Sequence, residues 1–238
     1  MPRYTKVIKK EAHSTTVGIL SAGIGNKIKS YEPRSLIKVG SDSLLSYQIN
    51  LINNLFTSPE IIVGVGVGAS KIMKRGYPRD NVRLVENQNY SNTGSFETLR
   101  LLVNNCTTDT LLIMHGDLYF NTATLDSLDY SKSFAIADSR GMLSKKEVGV
   151  TSVKDKATIF SHGLPIKWGQ IAYFCGKEFQ LLRNVCNKSS EDTKKFLSFE
   201  ALNMVINKGG NLYTVEPKDM SILEIDCMKD LKNEDFNI

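Results

Sequence analysis

The stretch from Val17 to Val39 constrains this chain more than any other. Val17-Gly18-Ile19-Leu20 is continuously apolar, as a strand buried on both faces must be. It runs directly into Ser21-Ala22-Gly23-Ile24-Gly25, and cations follow at Lys27 and Arg34 within Pro33-Arg34-Ser35-Leu36. Glycines let backbone N–H groups approach an anion closely, and cations neutralise it. A buried strand that empties into such a loop predicts a place to hold phosphates.

The rest of the first half repeats the strand pattern. Glu60 to Val65 and Asp109 to Met114 are apolar runs suited to interior parallel strands, and Asn81 to Val85 is a shorter one between them. Helices are predicted over 44–55, after a turn and N-cap at Gly40-Ser41-Asp42-Ser43, and through Phe96, Leu99, Leu102, Val103 and Cys106. A short helix before Gly76 and Pro78 completes the alternation. Strand and helix alternating at short spacing means parallel βαβ units with right-handed crossovers, and ligands bind beyond the carboxyl ends of such strands. The loop after Leu20 and Asp117, which follows His115-Gly116, both fall at such ends.

The second half changes character. Short strands are predicted at 133–137, 148–152, 157–161, 170–175 and 211–215, with helices over 177–185 and 193–207 and a last extended piece at 223–226. The expected fold class is α/β: a single-domain, Rossmann-like, doubly wound and mostly parallel sheet with a mixed-sheet, substrate-covering extension. The whole chain, 1–238, is read as one domain, with a nucleotide-binding half at about 15–120 and a covering half at about 130–220. Residues 1–14 read as a polar arm, and a short helix is expected to close the chain.

Composition narrows the class further. With 238 residues, 41% hydrophobic and 23% charged, the chain is long enough to bury one large core. The formal net charge of +5 is mild and dispersed, which suits small anions and gives no nucleic-acid motif. No run of about 18 apolar residues is present, so no membrane span is expected. The N-terminal segment has cations without an apolar core, unlike a secretory signal. Cys106, Cys175, Cys186 and Cys227 form no Cys-x-x-Cys pair, and His13, His115 and His162 have no metal-ligand spacing. Free thiols in a reducing cytoplasm are expected. The sequence does not fix oligomeric state, and a homo-oligomer stays open.

Four segments together bring a resemblance. Gly18 to Lys27 with Pro33-Arg34-Ser35-Leu36 resembles the signature of the nucleotidyltransferase family, an apolar strand leading to Ala-Ala-Gly-x-Gly-(Ser/Thr)-Arg and then Pro-Lys-x-Leu. His115-Gly116-Asp117 is similar to its Gly-Asp after the fourth strand, and Glu224-Ile225-Asp226 with Met228-Lys229-Asp230-Leu231 to its Ile-Asp-x-x-x-Asp-Leu. Asn87, Tyr90, Thr93-Gly94-Ser95 and Thr98-Leu99 resemble the base-reading segment of cytidylyltransferases that activate phosphocholine and related small phosphates. The segments run in the family's order from Val17 to Leu231. The family's loop arginine is Lys27 here, its Pro-Lys lysine is Arg34, and its first loop alanine is Ser21. Charge survives these exchanges, although a guanidinium fork and an ammonium point charge are not equivalent.

The resemblance implies an enzyme that joins a nucleoside triphosphate, CTP favoured and UTP open, to a small phosphorylated metabolite with loss of pyrophosphate. Its implied site has Lys27 and Arg34 as catalytic cations and Ser21, Ala22, Gly23, Gly25, Asn87, Gly94 and Ser95 on the nucleotide. Asp117 and Asp226 would hold Mg²⁺, and Lys167 and Glu200 would face the second substrate or serve structure. The chemistry agrees with the residues. Attack of a phosphate oxygen on an α-phosphorus needs in-line positioning and charge neutralisation rather than a covalent intermediate. Acceptor-only carboxylates at strand ends suit Mg²⁺ that keeps several waters.

Other readings remain at this point. Gly64-Val65-Gly66-Val67-Gly68-Ala69 follows a strand and matches Gly-x-Gly-x-x-Ala, with Glu86 ending the next strand, as in an NAD(P)-type dinucleotide binder. A glycosyltransferase using a nucleotide-sugar and a non-enzymatic nucleotide sensor are the other classes. Asp117 could be a turn residue, Thr93-Gly94-Ser95 a helix cap, and Tyr90 and Trp168 core residues.

Overall fold

A computed structural model describes residues 15–23, 33–77, 80–140 and 145–225. In chain order the first half contains β1 (Thr16–Ser21), β2 (Lys38–Val39), β3 (Asp42–Ser43), α1 (Leu44–Leu55), β4 (Glu60–Val65), α2 (Ala69–Lys74), β5 (Val82–Glu86), α3 (Ser95–Asn105), β6 (Thr110–His115), β7 (Leu118–Phe120) and α4 (Ala123–Asp126). The second half contains β8 (Phe134–Asp138), β9 (Val148–Val153), β10 (Lys156–His162), β11 (Ile166–Cys175), α5 (Gly176–Asn187), α6 (Ser198–Asn207), β12 (Tyr213–Val215) and β13 (Ile222–Glu224).

Nine strands form one sheet in the order β5-β4-β1-β6-β11-β8-β12-β10-β9. The first four neighbours are parallel, as continuous apolar runs require, and the remainder is mixed. Every residue of β1 is buried because the strand is paired on both edges and covered on both faces. Alternate side chains divide between two cores. Val17, Ile19, Val63, Leu112 and Met114 meet Leu45, Ile49 and Ile52 of α1. Ile62, Leu111 and Ile113 meet Phe96, Leu99 and Leu102 of α3 and Leu202 of α6. Each such side chain contributes about 1.5–3 kcal/mol on burial. The α/β, doubly wound expectation holds, and the second half joins the same sheet.

Gly18 and Gly64, on neighbouring strands, make a groove for α3. A Cβ on Gly18 would lie 3.1 Å from Leu102 Cδ1, and one on Gly64 only 2.4 Å from Thr98 Cγ2. The helix thus sits close on the sheet, with its first turn at the sheet's carboxyl edge. Ser43 caps α1 by accepting from the Ser46 N–H at 3.2 Å, as its sequence predicts.

One predicted helix is divided. The 193–207 segment is a short 3-10 turn at Thr193–Lys195, an extended link through Phe196 and Leu197, and then α6. The carbonyls of Lys194 and Phe196 accept from the N–H groups of Gly94 and Phe96, at 2.8 and 3.0 Å. They cap the first turn of α3, whose N–H groups have no partners within their own helix, and so cannot serve a continuous helix. β7 and α4 were not legible beforehand. Residues 1–14, Cys227 and the expected closing helix lie outside the described residues.

Glu60 ties three segments at the other edge of the sheet. Burial raises its pKa, but hydrogen bonds from Thr16, Arg83 and Thr107 outweigh this and hold it below the ordinary 4.5. A depressed carboxyl pKa adds stability above the unfolded value, and that stability is lost as pH falls through the folded value. Glu60→Gln should therefore destabilise the protein at pH 7, and the gap should close below about pH 4, as denaturant midpoints across pH will show.

Candidate active site

After β1 the chain turns one way to build β4 and β5, then returns through α3 to place β6 on the other side of β1. The loops after β1 and β6 therefore part, and the crevice between them is the place where open α/β sheets bind ligands. A cavity opens there. The two loops touch at their roots. Gly116 N–H donates to the Leu20 carbonyl at 2.8 Å, and a Cβ on Gly116 would lie 2.9 Å from Ser21 Cβ.

Ser21, Ala22 and Gly23 form one wall, and Arg34, Asp117, Asn87, Gly94 and Ser95 also line the cavity. Gly25, Lys27 and Asp226 lie outside the described residues. Arg34 enters on a 3-10 turn anchored by buried Ser35 and Leu36. Its guanidinium NH1 donates to Asp117 Oδ2 at 2.6 Å and lies 3.8 Å from Glu224 Oε1. Glu224 Oε2 in turn accepts from Gln170 at 2.7 Å. Gln170 sits at φ 58, a left-handed conformation uncommon for a side-chain-bearing residue, at a register shift in β11. The C-terminal segment reaches this point because β13 pairs with β7, and Ile225 N–H donates to the Asp117 carbonyl at 2.7 Å.

The turn that carries Asp117 is held from behind. Gln48 of α1, fully buried, donates from Nε2 to the carbonyls of His115 and Leu118 at 3.0 and 2.8 Å. Asp117 Oδ1 is buried and accepts no hydrogen bond from the described residues. A carboxylate oxygen left in that state fits a hard cation, and Mg²⁺ asks for only one or two carboxylates. Among the described residues no group of three or more His, Cys, Asp or Glu side chains gathers as a metal cage. His115 bridges from Nε2 to Ser198 Oγ at 2.9 Å and packs edge-on against buried Trp168. Burial lowers its pKa more than the nearby Asp117 carboxylate raises it.

The opposite wall is built on Asn87. Its Nδ2 donates to Thr93 Oγ1 and Thr98 Oγ1 at 3.0 and 3.3 Å, and its Oδ1 accepts from Asn89 N–H at 3.1 Å. Asn87 is thus a scaffold behind the cavity wall, with its amide fully used inside the protein. Ser95 Oγ accepts from Ser198 N–H at 2.7 Å, so α3 caps α6 while the 194–196 carbonyls cap α3. Tyr90 stands over Gly66, whose Cβ would lie 2.8 Å from the tyrosine Cβ.

Two predicted substrate residues stand away from the cavity lining. Lys167 pairs with Glu147 at 2.6 Å, and Glu200 caps α6 by accepting from Leu197 N–H at 2.6 Å. The Gly64–Ala69 run also has a structural use. A Cβ on Gly66 would meet the Ala22 carbonyl at 2.6 Å, and one on Gly68 would meet Pro33 Cδ at 2.7 Å. Its backbone is covered by the chain's own atoms, and α2 behind it has six residues, which removes the dinucleotide reading. Conversely, the sequence did not single out His115, Gln170 or Glu224 as site residues. Glu224 had a signal, because it stands in Glu-Ile-Asp beside Asp226. Gln170 had none, because a left-handed glutamine in a strand cannot be read from composition.

No protein-family model and no curated protein matches the sequence. The fold is that of solved nucleotidyltransferases. CTP:phosphocholine cytidylyltransferase from Streptococcus pneumoniae superposes with a TM-score of 0.72 at 21% identity, over 92% of this chain and 97% of that one. The inositol-1-phosphate CTP transferase from T. maritima has a TM-score of 0.72 at 12% identity, over 91% and 90%. A nucleoside-diphosphate-sugar pyrophosphorylase from Vibrio cholerae has 0.69 at 10% identity, over 91% and 98%. No helix among the described residues is long and apolar enough to cross a membrane.

Gly94 is where the cavity wall depends most on the absence of a side chain. A Cβ there would lie 2.1 Å from the Phe196 carbonyl oxygen and 2.5 Å from that of Lys195. Gly94→Ala should push α3 from the 194–196 link and cost about 1–3 kcal/mol, measured as a shift in denaturant midpoint.

Proposed function

We propose that the chain is a nucleotidyltransferase that transfers a nucleotidyl group from a nucleoside triphosphate, CTP favoured, to a small phosphorylated metabolite and releases pyrophosphate. One observation carries the reading. A single cavity at the switch point gathers the Ser21-Ala22-Gly23 loop, Arg34, Asp117 and the 87–98 wall, which are remote from one another in sequence.

The residues present suggest a division of work. The triphosphate would lie along the loop after β1, with its base against the wall carrying Asn87, Gly94 and Ser95 and the acceptor toward the 130–220 half. Asp117, with Asp226 from the C-terminal segment, would hold Mg²⁺, whose chemistry when bound is to neutralise and orient phosphate oxygens. Arg34 Nη1 lies 2.6 Å from Asp117 Oδ2, so the triphosphate-facing cation and the metal-facing carboxylate would share one corner of the cavity. The guanidinium would then face phosphate oxygens, where a bidentate fork is favourable, and stabilise departing pyrophosphate. Lys27 would share that charge. The reaction needs no protein nucleophile. A glycosyltransferase or a sensor with the same sheet would release no pyrophosphate.

The deciding experiment is a pyrophosphate-release screen of four nucleoside triphosphates against a panel of phosphorylated metabolites, with and without Mg²⁺. Release that needs both substrates and the cation supports the reading; no release from any pair removes it. Asp117→Asn should lower kcat by about 10³-fold with the fold retained by circular dichroism, and unchanged turnover would contradict its role. Arg34→Ala should weaken triphosphate binding by about 10–100-fold, the value of one charged hydrogen bond, measured by titration calorimetry.

A further inference from the structure

His115 ends the apolar run of β6, two residues before Asp117, and lines the cavity. Its main chain is held on two sides. It pairs with Leu20 of β1, and its carbonyl accepts from Gln48 Nε2 at 3.0 Å. Its ring is held as well. Nε2 lies 2.9 Å from Ser198 Oγ, and the ring meets Trp168 edge-on with centroids 5.8 Å apart. Ser198 is buried and opens α6, and its N–H donates at 2.7 Å to the Oγ of Ser95, the residue that opens α3. One continuous path therefore runs from α1, through the end of β6 and the imidazole, to the first turns of α6 and α3. A phenylalanine would fill the same space against Trp168 without the cost of burying ring nitrogens. What a histidine adds at this position is the bond to Ser198.

We propose that His115 is a positioning residue for nucleotidyl transfer, its imidazole acting as a strut that sets the spacing between the Asp117 turn and the cavity wall carried by α3. This rests on the reading of the cavity as a nucleotidyltransferase site. Such a reaction draws its rate from in-line placement of groups held by different walls, and small misplacements are costly. Each wall can hold its own part of a ligand without the strut, whereas attack requires both parts at one separation. The strut therefore acts on turnover more than on affinity. The competing role for a histidine here is general base. A phosphate monoester, with a second pKa near 6, already carries its negative charge at neutral pH and needs no base to attack, and His115 Nε2 is engaged by Ser198.

The test uses the full chain, Mg²⁺ and the substrate pair that releases most pyrophosphate in the screen above. His115→Phe, which keeps a ring against Trp168 and loses the nitrogens, should lower kcat about 10–100-fold and leave the KM of each substrate within about threefold of wild type. Ser198→Ala breaks the same bond from the other side and should do the same, and it decides the matter if His115→Phe fails to fold. The double variant should be no slower than the slower single one, because the same interaction is lost in all three. His115→Gln, whose amide reaches the position of Nε2 but takes up no proton, should recover most of kcat. His115→Asn, whose amide reaches only the position of Nδ1, should not. Unchanged kcat in a folded single variant, a loss confined to KM, or additive losses in the double variant would overturn the strut and leave the transferase reading standing. A glutamine variant as slow as the phenylalanine one would overturn it in favour of proton transfer. If the wild type releases no pyrophosphate with any pair, the transferase reading falls, and amide exchange at Ser198, expected to be about 10-fold faster in His115→Phe, judges the strut alone.

Discussion

The crevice at the carboxyl end of the sheet exists because β1 is paired on both edges and its chain must leave the sheet between two diverging neighbours. With β4 on one side and β6 on the other, the loops at their carboxyl ends cannot lie over one another. Close approach is then needed only at the roots, where Gly116 lies against Ser21 and the Leu20 carbonyl. The position of the cavity follows from strand order, and its contents follow from which residues come immediately after each strand. Gly18 and Gly64 extend the same logic to the opposite wall by letting α3 settle close on the sheet.

Most polar groups facing the cavity are oriented by a partner on their far side. Gln48 holds the turn of Asp117, Asn87 sets the direction of Thr98, Ser198 sets that of Ser95, and Gln170 holds Glu224. A hydroxyl in water can donate or accept freely, whereas one with a buried donor behind it has a fixed sense. The site is thereby organised before any ligand arrives, the condition under which electrostatic interactions are most effective. The Arg34–Asp117 pair is the exception. Its two charges face each other directly, at 2.6 Å.

Much of this was legible in the sequence, and the limits have physical causes. The apolar runs of β1, β4 and β6 are buried on both faces, so continuity of hydrophobicity located them. Ser43 announced the start of α1 because a cap is a local interaction. The loop after β1 and Asp117 were found as ends of such strands, and order along the chain joined them. What was not legible depends on which partner each polar group finds once the chain is folded. The 193–207 helix was divided by the needs of α3, about a hundred residues earlier, and no local propensity reports that. Asn87 lines the cavity, and the engagement of its amide by Asn89, Thr93 and Thr98 is a feature that composition does not report. Lys167 and Glu200 had the right charge for a substrate, but found partners in Glu147 and Leu197. The Gly64–Ala69 pattern was ambiguous because glycine serves protein packing as well as ligand approach.

The mutual capping of α3 and α6 has a consequence for how such a protein can diversify. The carbonyls of Lys194 and Phe196 and the N–H of Ser198 come from the half of the chain that follows β6, yet they finish the cavity wall carried by α3. Recombination that grafted a foreign second half onto this first half would replace those groups, even if every inherited loop residue stayed the same. The cavity wall is therefore an inheritance that is shared rather than modular.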